Sequence, residues 1–180
     1  MQKMERTIKL TVFLPYDQDL VWRALTEADL LGAWFMPNDI ETETGHYFTF
    51  RMKAQKGWDG ITHCEIISAI PKQYLAYSYR GEATGEKALA CAGIHSDKAD
   101  KLTKGIFTKL DTVLSFSLEP TCSGTLFLKV KQSGYKGIKL VLISFIMEMG
   151  WKKQLHKKLP HLLQKAQSRA IETMISPISF

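Results

Sequence analysis

The sequence has no apolar run long enough to cross a bilayer. Its densest run, Leu140–Met147 within GIKLVLISFIMEMGWKKQL, is eight residues long and bounded by Lys139 and Glu148. A spanning helix needs about twenty such residues. Cysteine is scarce. Cys64, Cys91 and Cys122 are odd in number and no two lie close together, which excludes a disulfide framework and a C-x-x-C zinc spacing. Ordinary reduced thiols in a cytoplasmic protein are the expectation. The opening MQKMERTIKLTVFL lacks a long apolar h-region and a small-residue cleavage site, so no secretory signal is expected. There is no low-complexity stretch, no internal repeat, no glycine-rich phosphate loop and no Ser/His/Asp order. No catalytic set, metal site or cofactor is therefore expected.

What is present suits one globular domain. The chain has 180 residues, 45% hydrophobic and 23% charged, enough to bury a sizeable core. The net charge is +6, and the excess lies late. Between Lys129 and Arg169 come Lys131, Lys136, Lys139, Lys152, Lys153, Lys157, Lys158 and Lys165, against Glu148 alone. Such a run can steer an acidic partner or anionic ligand; the plainer reading is a solvated helix face. No nucleic-acid motif accompanies it, so no nucleic-acid partner is expected.

Periodicity orders the elements. ERTIKLTVFL alternates, with Ile8, Leu10 and Val12 on one face, as a half-buried strand does. Pro15 ends it. Asp17 can cap a following helix, and Val21, Ala24, Leu25 and Ala28 recur at helical spacing, with a break near Thr26 and Glu27. The second short helix is expected to end at Gly32. HYFTFRM, ITHCEIISAI and QYLAYSYR then read as antiparallel strands joined by short turns. Regularity lapses from 81 to 110, which reads as an insertion or flap. Two more strands, around DTVLSFSLEP and TLFLKVKQ, flank the turn EPTCSG. In the last third Met147, Trp151, Leu155, Leu159, Leu162, Leu163 and Ala166 make one apolar helix face, entered through the approach segment before Met147. Pro160 inside that helix should bend or break it. The helix needs a partner for its apolar side, and the concave face of the sheet is the surface large enough. An α+β fold follows, with a helix laid across a curved antiparallel sheet.

The segments FLPYDQDLVWRALTEADLLGAWF, GHYFTFRM, WDGITHCEIISAIPKQYLAYSY, DTVLSFSLEPTCSGTLFLKVKQSGY and MGWKKQL, in that order, resemble the START-like (SRPBCC, Bet v 1-like) superfamily. Within it they are most similar to homologues of the activator of the heat-shock-protein-90 ATPase. The resemblance spans roughly residues 9–163. It implies a helix-grip fold across one domain, residues 1–180, with an apolar cavity between sheet and terminal helix. It also implies binding of a small hydrophobic or amphipathic molecule there. The alternative is a protein-interaction module, such as a chaperone ATPase regulator working through Lys152, Lys153, Lys157 and Lys158. An enzyme acting on a hydrophobic ligand ranks third. The chain would be a monomer or homodimer.

The candidate ligand-binding set is Trp34, Phe48, Phe50, Leu75, Tyr77, Tyr79, Leu114, Phe116, Leu128, Met147 and Trp151. In an ordinary core these side chains would simply interlock; in a helix-grip fold some would face a void. The hydroxyls of Tyr77 and Tyr79 need partners if buried and would orient a ligand's polar end, helped by Trp34. His63 and Glu65 share a strand face, but Thr62, Cys64 and Ile66 make the more apolar side. The pair is therefore expected on the wet face.

Overall fold

The computed structural model describes residues 4–54, 59–84 and 107–175. Strand β1 (Glu5–Leu14) leads into helices α1 (Gln18–Thr26) and α2 (Ala28–Trp34). Strands β2 (Tyr47–Arg51), β3 (Ile61–Ile70), β4 (Tyr74–Thr84), β5 (Phe107–Pro120) and β6 (Leu126–Lys136) follow. Helix α3 (Ile138–Lys153), a π-turn (Gln154–Lys158) and α4 (Leu159–Ile175) close the chain. The six strands form one antiparallel sheet in the order β1-β6-β5-β4-β3-β2. With the C-terminal helix packed against the curved sheet and two short helices after the first strand, this is the expected helix-grip fold. Among the described residues no helix is long and apolar enough to cross a membrane.

Alternation places the core. Ile8, Val12 and Leu14 of β1, Leu114, Phe116 and Leu118 of β5, and Leu126, Leu128 and Val130 of β6 are all buried on the helix side. Ile143, Trp151, Leu155, Leu159 and Leu163 meet them from the helix. Asp17 caps α1 as expected, its carboxylate accepting from the Asp19 N–H at 2.8 Å. The break between the first two helices falls at Glu27, and α2 runs two residues past Gly32 to Trp34.

Three features depart from the sequence expectation. The terminal helix starts at Ile138, so the supposed approach segment is already helical. Pro160 does not end the helix, which runs on past it. A π-turn lies directly before it, where the Leu159 N–H bonds the Gln154 carbonyl five residues back. Proline lacks the N–H that the carbonyl four residues earlier would accept, and its ring crowds that carbonyl. One wide turn absorbs the mismatch, and the helix continues to Ile175. Finally, β4 and β5 extend into the segment expected as an insertion. Gly81 pairs with Leu110, Glu82 with Lys109, Ala83 with Thr108 and Thr84 with Phe107. The rest of that segment, residues 85–106, lies outside the described residues, as do Cys91 and His95.

A bulge interrupts the alternation of β6. Gln132 pairs with Ile8 and Tyr135 with Arg6, so one extra residue sits in β6 between the two pairs. Gly134, at φ +105°, supplies the turn of the backbone. Strict alternation would send Gln132 and Tyr135 to opposite faces. Gln132 faces inward in step with Leu128 and Val130, the bulge turns Tyr135 inward as well, and both are fully buried.

Candidate functional site

Aromatic rings crowd the interior between sheet and helix. Phe48 and Phe50 of β2, Tyr77 and Tyr79 of β4, Phe116 of β5 and Trp151 of α3 are each buried. Phe48 meets Tyr77 edge-on at 5.2 Å between centroids, and Tyr77 lies 6.1 Å from Phe116. Phe116 meets Trp151 edge-on at 6.0 Å. Phe35, just past α2, closes the set by stacking on Trp151 at 4.8 Å and 16°. Trp34 donates its indole N–H to the Ala24 carbonyl at 2.8 Å, tying α2 to α1. Ten of the eleven candidate residues are buried in this one cluster; Met147 sits at its edge, partly exposed. Phe35 is an anchor that the sequence-derived set lacks. Its place beside Trp34 in the sequence already points to it.

A polar chain crosses the apolar interior. Trp151 Nε1 donates to Gln132 Oε1 at 2.9 Å, and Gln132 Nε2 donates to Thr112 Oγ1 at 3.0 Å. Thr112 Oγ1 donates to the Tyr79 carbonyl at 3.2 Å. This network fixes the indole plane with its polar atoms satisfied. Two other phenols fare differently. The hydroxyls of Tyr77 and Tyr135 are buried and have no hydrogen-bond partner among the described residues. Burial pushes both phenols well above their ordinary ionisation range, and the nearby Arg6 charge pulls Tyr135 partly back. Both are therefore neutral donors. His63 is exposed while Thr62, Cys64 and Ile66 are buried, as expected for a wet outer face. Among the described residues no three His, Cys, Asp or Glu side chains cluster closely enough to hold a metal.

The outer side of α3 is unusual. Ile138, Leu142, Phe145 and Met149 are each at least half exposed, although the Leu140–Met147 run has apolar residues on all sides. An all-apolar helix is ordinarily buried on every side. Arg6 of β1 braces this face. Its guanidinium lies 3.9 Å from the Phe145 ring centroid, donates to Ser144 Oγ at 2.8 Å and pairs with Glu148. Lys152 also pairs with Glu148, at 2.8 Å. These two cations, Lys152 first, hold the Glu148 carboxyl below its ordinary value. Lys153, Lys157 and Lys158 continue beyond as exposed residues.

Among the described residues, two surface clefts lie elsewhere. One, of about 590 Å³, opens where β3, β4 and β5 meet, lined by His63, Arg80, Glu82, Lys109 and Asp111 among others. Within it Arg80 pairs with Asp111 at 3.1 Å, and Arg80 also lies 3.7 Å from Glu65. The other, of about 420 Å³, lies between α1 and α4. Neither is lined by any of the eleven candidate residues.

A family model described as Activator of Hsp90 ATPase homolog 1-like protein matches residues 15–164. The chain belongs to this family. The match runs from the turn before α1 into α4 and takes in every candidate residue. Among solved structures, a Mesorhizobium loti protein is 28% identical, covering 89% of this chain and 98% of its own, with a TM-score of 0.67. A Bacillus halodurans protein is 20% identical, with 91% and 99% covered and a TM-score of 0.64. A Staphylococcus aureus protein of unknown function is 12% identical, with 93% and 98% covered and a TM-score of 0.62. The last two likenesses show the fold alone. No protein of curated function matches the sequence.

Proposed function

We infer that this domain is a protein-interaction module whose target is a chaperone ATPase of the Hsp90 class. The observation that carries this reading is the outer face of α3. Four large apolar side chains stand in solvent beside a run of lysines, in a family named for activation of that ATPase. Exposed apolar surface rimmed by charge favours a macromolecular partner. The test is ATP turnover by the Hsp90-class chaperone of the same cell, titrated with the domain. Turnover should rise saturably, and a variant with Lys152, Lys153, Lys157 and Lys158 changed to glutamate should lose the effect. Unchanged turnover together with no measurable binding would overturn the reading.

A second reading keeps the hydrophobic molecule inside the grip, oriented by Tyr77, Tyr79 and Trp34. The unpartnered Tyr77 hydroxyl favours it, because a buried hydroxyl without a hydrogen bond is costly and a ligand's polar end would satisfy it. Tyr77→Phe decides between the two. With no ligand, removing this hydroxyl should stabilise the domain by about 1–2 kcal/mol, read as a higher urea midpoint. A destabilised variant, or one that loses an apolar molecule seen in native mass spectra of the parent, would move the function to the interior.

A further inference from the structure

The exposed residues of α3 form a seam rather than a patch. Ile138, Leu142, Phe145 and Met149 follow one another at intervals of four, three and four. At roughly 3.6 residues per turn they fall within about 60° around the axis. That narrow, alternating spacing is the pattern by which one helix receives another along its length. Lys152 and Lys153 prolong the same sector by one turn, and Lys139 flanks its start. From Ile138 to Lys153 the seam runs about 22 Å.

Charge decides what lies on it. The one acid along α3 is Glu148, already engaged by Lys152 and Arg6. Lys139, Lys153, Lys157 and Lys158 are exposed, and none forms an ion pair among the described residues. A second copy of the chain would lay lysines on lysines in either direction, because both ends of the seam are basic. We propose that the α3 seam is the docking site for an acidic amphipathic helix, with apolar residues at its a and d positions and carboxylates flanking them. Phe145 is the central anchor. The Arg6 guanidinium already holds its ring, so little side-chain freedom is lost on binding, and aromatic residues at the centre of an interface carry a large share of affinity. The seam rests on the interaction-module reading and gives its partner a chemistry.

The test uses the full chain and a peptide of about 20 residues with leucine at a and d and glutamate at e and g. The same peptide with lysine for glutamate is compared, as are vesicles of phosphatidylglycerol and phosphatidylcholine. Titration calorimetry should show binding of the acidic peptide alone, weakening as salt rises. Leu142→Gln with Met149→Gln, and separately Lys153→Glu with Lys157→Glu, should each raise its dissociation constant at least about tenfold. These positions are exposed, so thermal unfolding should be unchanged. The proposal is overturned if the acidic peptide fails to bind, if the lysine peptide binds equally, or if the variants bind like the parent. Vesicle binding without peptide binding would assign the seam to a lipid surface and overturn it. So would a concentration-dependent dimer, seen by sedimentation, that Leu142→Gln abolishes. If the peptide binds the seam but no chaperone responds, the docking site stands and the chaperone reading falls. If chaperone turnover rises and is indifferent to the Leu142 and Met149 changes, the reverse holds.

Discussion

Trp151→Ala is expected to destabilise the domain by about 3–5 kcal/mol, read by equilibrium urea unfolding followed by far-UV circular dichroism. The indole is 2% exposed and is the point where helix, sheet and the α2 region meet. It stacks on Phe35, meets Phe116 edge-on and donates to Gln132. Truncation removes those contacts and leaves a hole that the surrounding rigid strands cannot easily close. It also strands the Gln132 oxygen, since the amide is fully buried and an unpaired buried acceptor carries its own penalty of about 1–3 kcal/mol. Trp151→Phe separates the two effects. It keeps a ring against Phe35 but cannot donate, so its loss should be close to the hydrogen-bond part alone. A cost below about 1 kcal/mol for the alanine variant would mean that the indole borders empty space. The interior would then be a pocket wall rather than a packed core, and the second functional reading would gain at the expense of the first.

The strands were legible in the sequence because their faces differ. ITHCEIISAI forms β3 over the whole quoted stretch, with Thr62, Cys64 and Ile66 buried between more exposed neighbours in its first part. In KLTVFL the same pattern gives β1. Helix α3 was harder to read for the opposite reason. LVLISFIM is apolar on all sides, so the 3.6-residue period that marks a helix has nothing to contrast with, and its start at Ile138 was missed by about nine residues. The same blindness hid the seam. An apolar helical residue is taken as buried, and only coordinates reveal that Leu142 and Phe145 lie outside while Ile143 lies within. In the interior, alternation gave Phe48 and Phe50, Tyr77 and Tyr79, and Phe116 to inward strand faces, and helical spacing gave Trp151 to the apolar helix face; all six are buried in one cluster. Gln132 continues the inward alternation of Leu126, Leu128 and Val130 but is polar, so an apolar pattern passes over it, and Tyr135 lies beyond a bulge that breaks the alternation. Nor does the pattern of apolar residues reveal whether rings interlock or leave room. That depends on tilts and distances that no spacing rule encodes.

Gly134→Ala is the second large effect, and it reaches the same interior from the backbone. A Cβ at this position would lie 2.7 Å from the Asp111 carbonyl oxygen and 3.1 Å from the Thr112 Cα. Both are backbone atoms of the neighbouring strand, so no side-chain rotation relieves the contact. The φ of +105° is itself one that residues with a Cβ rarely adopt. Together these should cost about 2–4 kcal/mol. Gly124→Ala is the control, since it has φ +76° but open space around its Cβ; it should show the conformational strain without the collision, about 1 kcal/mol. The difference between the two variants measures how tightly β5 closes on the bulge. It also has a consequence at Trp151. If the bulge is displaced, Gln132 and Tyr135 can no longer both face inward, and a slip that reaches Gln132 takes the acceptor from the indole. Tryptophan fluorescence of the folded Gly134→Ala variant should therefore shift relative to the parent, while Gly124→Ala should leave it unchanged. A variant that loses stability with no such shift would show that the strand slides as a unit, keeping the polar chain from Trp151 to Thr112 intact.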